Sequence, residues 1–138
     1  MAGSMSNYLE DIILDHILGD TSFATAATVY IGLWTATLSD TSTGATAGEV
    51  SGGSYARVAV TNNTTNWPDA SGGTKSSGAA FDFGTASGSW GDVTDWAIVD
   101  SSSGAGNIYY YGTLTTPKTI ASGDSAQFAS GDIDITQA

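Results

Sequence analysis

Helical periodicity occurs in one stretch of this chain and nowhere else, within the first twenty residues. Leu9, Ile12, Ile13, His16 and Ile17 recur at i, i+3, i+4, i+7 and i+8, and Leu14 and Leu18 widen the stripe. Glu10, Asp11 and Asp15 face away from it. Asn7 reads as the cap, Glu10 places a carboxylate in the first turn, and Gly19 stands where a left-handed closing residue belongs. These signals predict a helix over residues 7–19, preceded by an N-terminal extension or cloning scar at 1–6. So short a helix is marginal in water, so its stripe needs a covering surface.

From Asp20 onward the pattern changes to short β-branched and aromatic runs separated by Gly, Ser, Asn and Asp clusters. Candidate strands are Thr28 to Thr35, Tyr55 to Thr61, Ala79 to Phe83, Val93 to Val99, Asn107 to Leu114, Thr119 to Ala121, Ser125 to Ala129 and Asp132 to Thr136. Alternation puts Val29, Ile31 and Leu33 on one face, likewise Phe81 with Phe83 and Ile133 with Ile135. In Asn107 to Leu114 it puts Ile108, Tyr110 and Leu114 on one side and Tyr109 and Tyr111 on the other. The expected fold is mainly β: residues 20–138 form an antiparallel β-sandwich of about seven to eight strands, with the amphipathic helix docked on it. Ala-Ser-Gly-Asp occurs at 121–124 and again at 129–132, which reads as paired turn chemistry.

The side-chain inventory limits the chemistry. One histidine, no cysteine and three basic residues (Arg57, Lys75, Lys118) leave little for a titrating base, a thiolate or a cationic clamp. His16 reads as a structural residue of the helix stripe, and no second His or Cys exists to complete a zinc site. A formal charge of −11 repels phosphate backbones and anionic lipid alike. No run approaches the roughly 20 apolar residues that span a bilayer, and no basic segment leads into an apolar one as in a secretory signal. Asp132 and Asp134 are the nearest thing to a carboxylate pair, but an i, i+2 pair on one strand does not flank a sugar from both sides. Asp92, Asp95 and Asp100 read as solvent-facing in the same way, and Ser101 to Ser103 as a turn. The chain is expected to have no catalytic, metal or cofactor residues, with loop-bound calcium as the one cofactor its oxygen-rich loops would suit.

Binding residues are better represented. Two polar linkers, 39–54 and 62–78, are long enough to contact a partner, and Trp67 lies within the second between Asn66 and Pro68. The candidate interface comprises Leu9, Ile12 and Ile13 of the helix, Arg57 as the lone arginine and a bidentate carboxylate binder, Trp67 as a loop anchor, and Tyr109 and Tyr111 on an exposed sheet face.

Several ordered segments carry a likeness. Tyr8-Leu9-Glu10, Leu14 to Gly19, Thr28 to Trp34, Glu49-Val50-Ser51-Gly52-Gly53-Ser54-Tyr55-Ala56-Arg57, Ser89-Trp90-Gly91 with Val93 to Trp96, and Tyr111 to Lys118 followed by Ser122-Gly123-Asp124 and Phe128 occur in that order. In this the chain, from Ser6 to Thr136, resembles the small bacteriophage virion proteins commonly labelled phage tail fibre protein. The resemblance implies a non-enzymatic virion structural protein on the particle exterior, made in the host bacterial cytoplasm. It brings no catalytic residues to carry over. A shaft needs heptads, a triple β-helix or a repeated blade, none of which is present, so the expected role is a capsid decoration or cement module. The alternatives are a tail-tip or fibre-associated adsorption protein that binds host glycan and, more remotely, a glycan hydrolase. The expected partners are other virion proteins and further copies of the chain, with neither nucleic acid nor membrane.

Overall fold

The computed structural model describes residues 1–137; Ala138, the last residue of the expected sandwich, lies outside them. The elements run β1 (Ala2–Met5), α1 (Asn7–Leu18), β2 (Thr28–Trp34), β3 (Val58–Thr61), β4 (Thr74–Ser76), β5 (Phe81–Thr85), β6 (Gly91–Val99), β7 (Ile108–Ile120), β8 (Ser125–Phe128) and β9 (Asp134–Thr136). Seven strands form one curled sheet in the order β3-β2-β6-β7-β1-β9-β4, while β5 and β8 pair as a separate two-stranded ribbon. The chain is therefore mainly β, with one short N-terminal helix and predominantly antiparallel pairing. The β1–β9 pair is the parallel exception.

The two layers are unequal, and the main core lies between them. Val29, Ile31 and Leu33 of β2 and Trp96 and Ile98 of β6 project into it with the period of two, and the irregularity between Val93 and Asp95 brings Val93 to the same face. The ribbon supplies Phe81, Phe83 and Phe128 from above. Phe128 meets Trp96 with ring centroids 6.3 Å apart and Phe83 at 6.1 Å, both near edge-to-face, the arrangement aromatic quadrupoles favour. The opposite face of the sheet carries a smaller cluster of Trp34, Leu38, Ala97, Val99 and Ile108. The segment after β2 lies against it, with Leu38 in the cluster and Trp34 Nε1 donating to Thr46 O.

Within the first six residues, read from sequence as an extension or scar, Ala2–Met5 form a strand of the sheet. Ser4 and Met5 pair with Tyr111 and Tyr110, Ala2 and Gly3 with Asp134 and Ile135, so β1 bridges two strands that would otherwise end as open edges. Four residues, three of them small, show no periodicity of their own; their conformation comes from the strands beside them. β4 is likewise a strand inside a segment read as a loop, held by β9. The expected break in the 107–121 region is an excursion within one strand. The β6–β7 register passes from Asp95↔Thr113 to Val93↔Lys118, leaving residues 114–117 opposite Thr94 alone, and Pro117 sits where no ladder N–H is needed.

The repeated Ala-Ser-Gly-Asp segments form two turns of the same chemistry. Asp124 accepts from Ala121 N (2.9 Å) and Asp132 from Ala129 N (2.8 Å), each carboxylate closing its own turn, with Gly123 and Gly131 both at positive φ. The helix cap shifts by one residue: Ser6, not Asn7, accepts from Leu9 N at 3.3 Å and also donates to Ile108 O. Gly19 closes the helix at φ −120°, and the left-handed position falls to Asp20 at φ 54°. His16, expected within a buried stripe, is exposed, its Nδ1 3.0 Å from Thr21 O.

The indole of Trp96 fixes how closely β1 and β7 approach. A Cβ on Gly3 would lie 2.8 Å from Trp96 Cη2, and one on Gly112 would lie 2.8 Å from both Trp96 Cζ2 and Ala2 O. Neither a fully buried indole nor a paired backbone can give way cheaply. Gly112→Ala is expected to destabilise the fold by about 1–3 kcal/mol, read as a lower urea midpoint with an unchanged m-value.

Candidate interaction surfaces

Arg57 lies just before β3, and its guanidinium is fully engaged within the chain. Nε donates to Glu49 Oε1 at 2.7 Å and Nη2 to Glu49 Oε2 at 2.8 Å, the bidentate geometry expected of a lone arginine among carboxylates. Nη1 donates to the carbonyl and hydroxyl of Ser101 at 2.9 and 3.0 Å, and Nη2 to Gly44 O and Gly104 O, each at 3.0 Å. The guanidinium carbon sits 5.7 Å from the centre of the Trp34 ring. Its side chain is 1% exposed and that of Glu49 20%. Arg57 is thus a fastener between the 39–54 and 100–107 segments, not a contact for a partner.

The neighbouring groups complete this fastener. Trp34 Nε1 donates to Thr46 O (3.0 Å), Val50 N to Leu33 O (2.9 Å) and Gly44 N to Gly106 O (2.8 Å), so the first long linker is laid down on the sheet. Tyr55 Oη accepts from Leu33 N at 2.8 Å and donates to Glu49 Oε1 at 3.2 Å. Burial above all, with Glu49 adding to it, pushes the Tyr55 phenol well above its ordinary range. It acts as a donor at neutral pH, not as a base. Glu49 is the partner sequence reasoning did not assign; its signal was its place eight residues before the only arginine.

Trp67, expected as an exposed loop anchor, is 6% exposed and packs against Phe81 at 5.3 Å between ring centroids. The loop folds back because Asn63 accepts from Thr65 N and Asn66 N and Trp67 N donates to Asn63 O, which turns the indole inward. The tyrosines are also redistributed. Val99 pairs with Ile108 but Ile98 with Tyr110, so Tyr109 is the extra residue of a β-bulge. The bulge breaks the expected alternation at its start: Tyr110 and Leu114 face the main core with Tyr111 opposite, as expected, but Tyr109 joins Tyr110 beside the main core and Ile108 joins Tyr111 on the other face. Tyr109 stacks on Tyr8 at 6.2 Å and meets Phe23 edge-on at 6.1 Å, a half-exposed aromatic cluster at the helix. Burial, then Asp100 and Tyr8, raise the Tyr109 pKa; burial, then Asp40 and Glu10, raise that of Tyr111.

In the helix, Leu9 is buried and Ile12 and Ile13 are half-buried. Leu14, Ile17 and Leu18, which the sequence stripe grouped with them, are exposed. An apolar groove of about 520 Å³ runs beside the helix, its walls including Leu9, Ile13, Phe23, Tyr109 and Tyr110. A second cleft of about 690 Å³ lies between the second half of β7 and β8, with Leu114, Lys118, Asp124, Phe128 and Asp132 among its lining.

Several of the carboxylates singled out from the sequence are held by structure. Asp134 accepts from Ser76 Oγ, Asp132 closes its turn, and Asp100 accepts from Asn107 N and Nδ2, both at 2.8 Å. Asp95, expected in solvent, is 1% exposed and accepts from Leu38 N at 3.0 Å. Among the described residues no three His, Asp or Glu side chains gather where a metal ion could sit, and no helix is long and apolar enough to cross a membrane.

Three measurable outcomes follow from this geometry. Arg57→Ala is expected to cost about 3–5 kcal/mol by stranding a largely buried carboxylate, and Arg57→Lys to fail to restore it, because one ammonium cannot reach four partners. Trp67→Ala is expected to lower stability by about 3–5 kcal/mol, as a core truncation does. Folding holds the Tyr55 phenol protonated, so stability present at neutral pH should fall once pH passes about 10, where the unfolded phenol ionises. Tyr55→Phe should reduce that slope in urea titrations at successive pH values.

A family model described as podophage GP4 fiber I protein gp80 matches residues 4–136. A search of curated proteins finds no match. The matched span includes β1 from Ser4, the helix, both sheets, the Arg57 fastener and β9. The described family is one of phage virion structural proteins, and such a protein associates with other virion components. With the match running through nearly every element of the fold, this chain belongs to the podophage GP4 fiber I protein gp80 family.

Proposed function

We propose that this chain is a non-enzymatic, fibre-associated module on the outside of the phage particle, joined to other virion proteins by surface complementarity and working without a cofactor. The family match over residues 4–136 carries the reading. It is supported by the employment of the reactive side chains in the fold: the arginine is saturated, and Asp95, Asp132 and Asp134 hold backbone or hydroxyl groups. Several copies on one particle would gain avidity from the repeated surface beneath them.

A second placement, as a decoration or cement unit on the capsid shell, is favoured by one observation. The fold is a compact pair of layers with no heptad, blade or repeat from which a shaft could be extended. Host-glycan adsorption has less support, because Trp67, its proposed anchor, lies in the core. Gold-labelled antibody against the chain, applied to intact particles, is expected to mark the tail region. Uniform labelling of the shell would favour the decoration role, and label on neither intact nor disrupted particles would overturn the virion reading.

A further inference from the structure

We propose that Leu14, Ile17 and Leu18, on the last turn and a half of α1, form a peg that docks into an apolar groove rimmed by Lys or Arg on a different virion protein. This rests on the reading of the chain as a virion module. Leu14 is 56% exposed, Ile17 69% and Leu18 82%; with Tyr8 at 37% they make up the large exposed hydrophobics among the described residues. Isolated exposed leucines are ordinary. Here all four lie on a single twelve-residue helix.

At spacings of three and four, Leu14, Ile17 and Leu18 are neighbours on the helix surface. Leu14 and Leu18 follow Leu9 by five and nine residues, which at about 100° per residue turns them to the side away from it, while Ile17 lies about 80° round from Leu9 and is left exposed at the end of the helix. Leu9 is the helix residue buried against the domain, so these three exposed side chains are not used by the fold. The peg is also preformed. Ser6 caps its start, Asn7 N donates to Asp40 O at 2.9 Å, and Gly19 N and Thr21 N both donate to Asp15 O at its end. Little order has to be gained on binding.

Charge identifies the partner. Exposed Glu10, Asp11, Asp15 and Asp20 surround the apolar tip, and residues 1–56 contain no Lys or Arg. An apolar groove with a cationic rim complements such a surface. A second copy does not: Arg57 is consumed by Glu49, and only Lys75 and Lys118 remain against those four acids. Two helices meeting face to face would oppose acid to acid.

The test uses phage deleted for this gene and grown in host cells that supply the full chain in trans, with purified particles probed by immunoblot. Wild type is expected in the particles, while Leu14→Ser/Leu18→Ser and Asp11→Lys/Asp15→Lys are expected to fall at least about tenfold in incorporation. Both variants should keep the wild-type melting temperature within a few degrees, since the substituted side chains are exposed. Wild-type incorporation of the folded leucine variant would overturn the peg, and that of the charge-reversed variant the cationic rim. Concentration-dependent dimerisation of the purified wild type in sedimentation velocity, abolished by the leucine substitutions, would assign the peg to a second copy instead. Absence of wild type from the particles would defeat the virion reading itself, a result distinct from loss of the variants alone.

Discussion

The ion pair between Arg57 and Glu49 holds together the side of the molecule that regular secondary structure leaves uncovered. One face of the seven-stranded sheet is closed by the β5–β8 ribbon, and on the other Trp34 lies under the 39–54 segment, whose Thr46 O accepts from its Nε1. That segment is rich in Gly, Ser and Thr and has little apolar surface with which to hold itself down. A buried guanidinium solves the problem by collecting a carboxylate and three backbone carbonyls from two segments at once. A buried ion pair is a weak source of net stability compared with apolar packing, but it is intolerant of losing one partner. In a chain with no cysteine and no metal cluster among the described residues, it takes the place of a cross-link.

Closure on the other side depends on small residues. β1 can lie between β7 and β9 because Gly3 and Gly112 leave room for the indole of Trp96, which reaches Phe128 of the ribbon from the same position. Sheet, ribbon and N-terminal strand thus share one buried ring. The helix that follows β1 is carried to the edge of the domain, where Leu9 alone of its residues is fully buried. The geometry that completes the sheet is also the geometry that leaves the end of the helix outside it.

This division of labour suits the virion module proposed above. Titratable groups that could have made a site are consumed by turns, caps and the Arg57 fastener, and the excess of acid is spread over the surface. Adhesion between virion proteins asks for preformed surfaces with matching shape and charge, and a rigid domain with an apolar, acid-ringed projection supplies one. Belonging to a phage fibre family and lacking any shaft-forming repeat are compatible if the chain is an attached unit and not the length of the fibre.

Local pattern was enough to locate the helix, seven of the nine strands (β7 as two pieces) and the inward faces of β2, β5 and β9, because periodicity and turn chemistry act over a few residues. The Ala-Ser-Gly-Asp turns were legible for the same reason, since each carboxylate reaches only its own turn. Four features were decided by tertiary structure. β1 and β4 are too short to show a pattern and exist through their neighbours; the bulge at Tyr109 shifts a face by one residue; Trp67 turns inward because its loop closes on itself; and Arg57 meets a carboxylate eight positions away and carbonyls from a segment more than forty residues later. The helix shows the boundary most clearly. Sequence determines that it is amphipathic, but which of its apolar residues are covered depends on where the sheet ends, and that is set by pairings between residues more than a hundred positions apart.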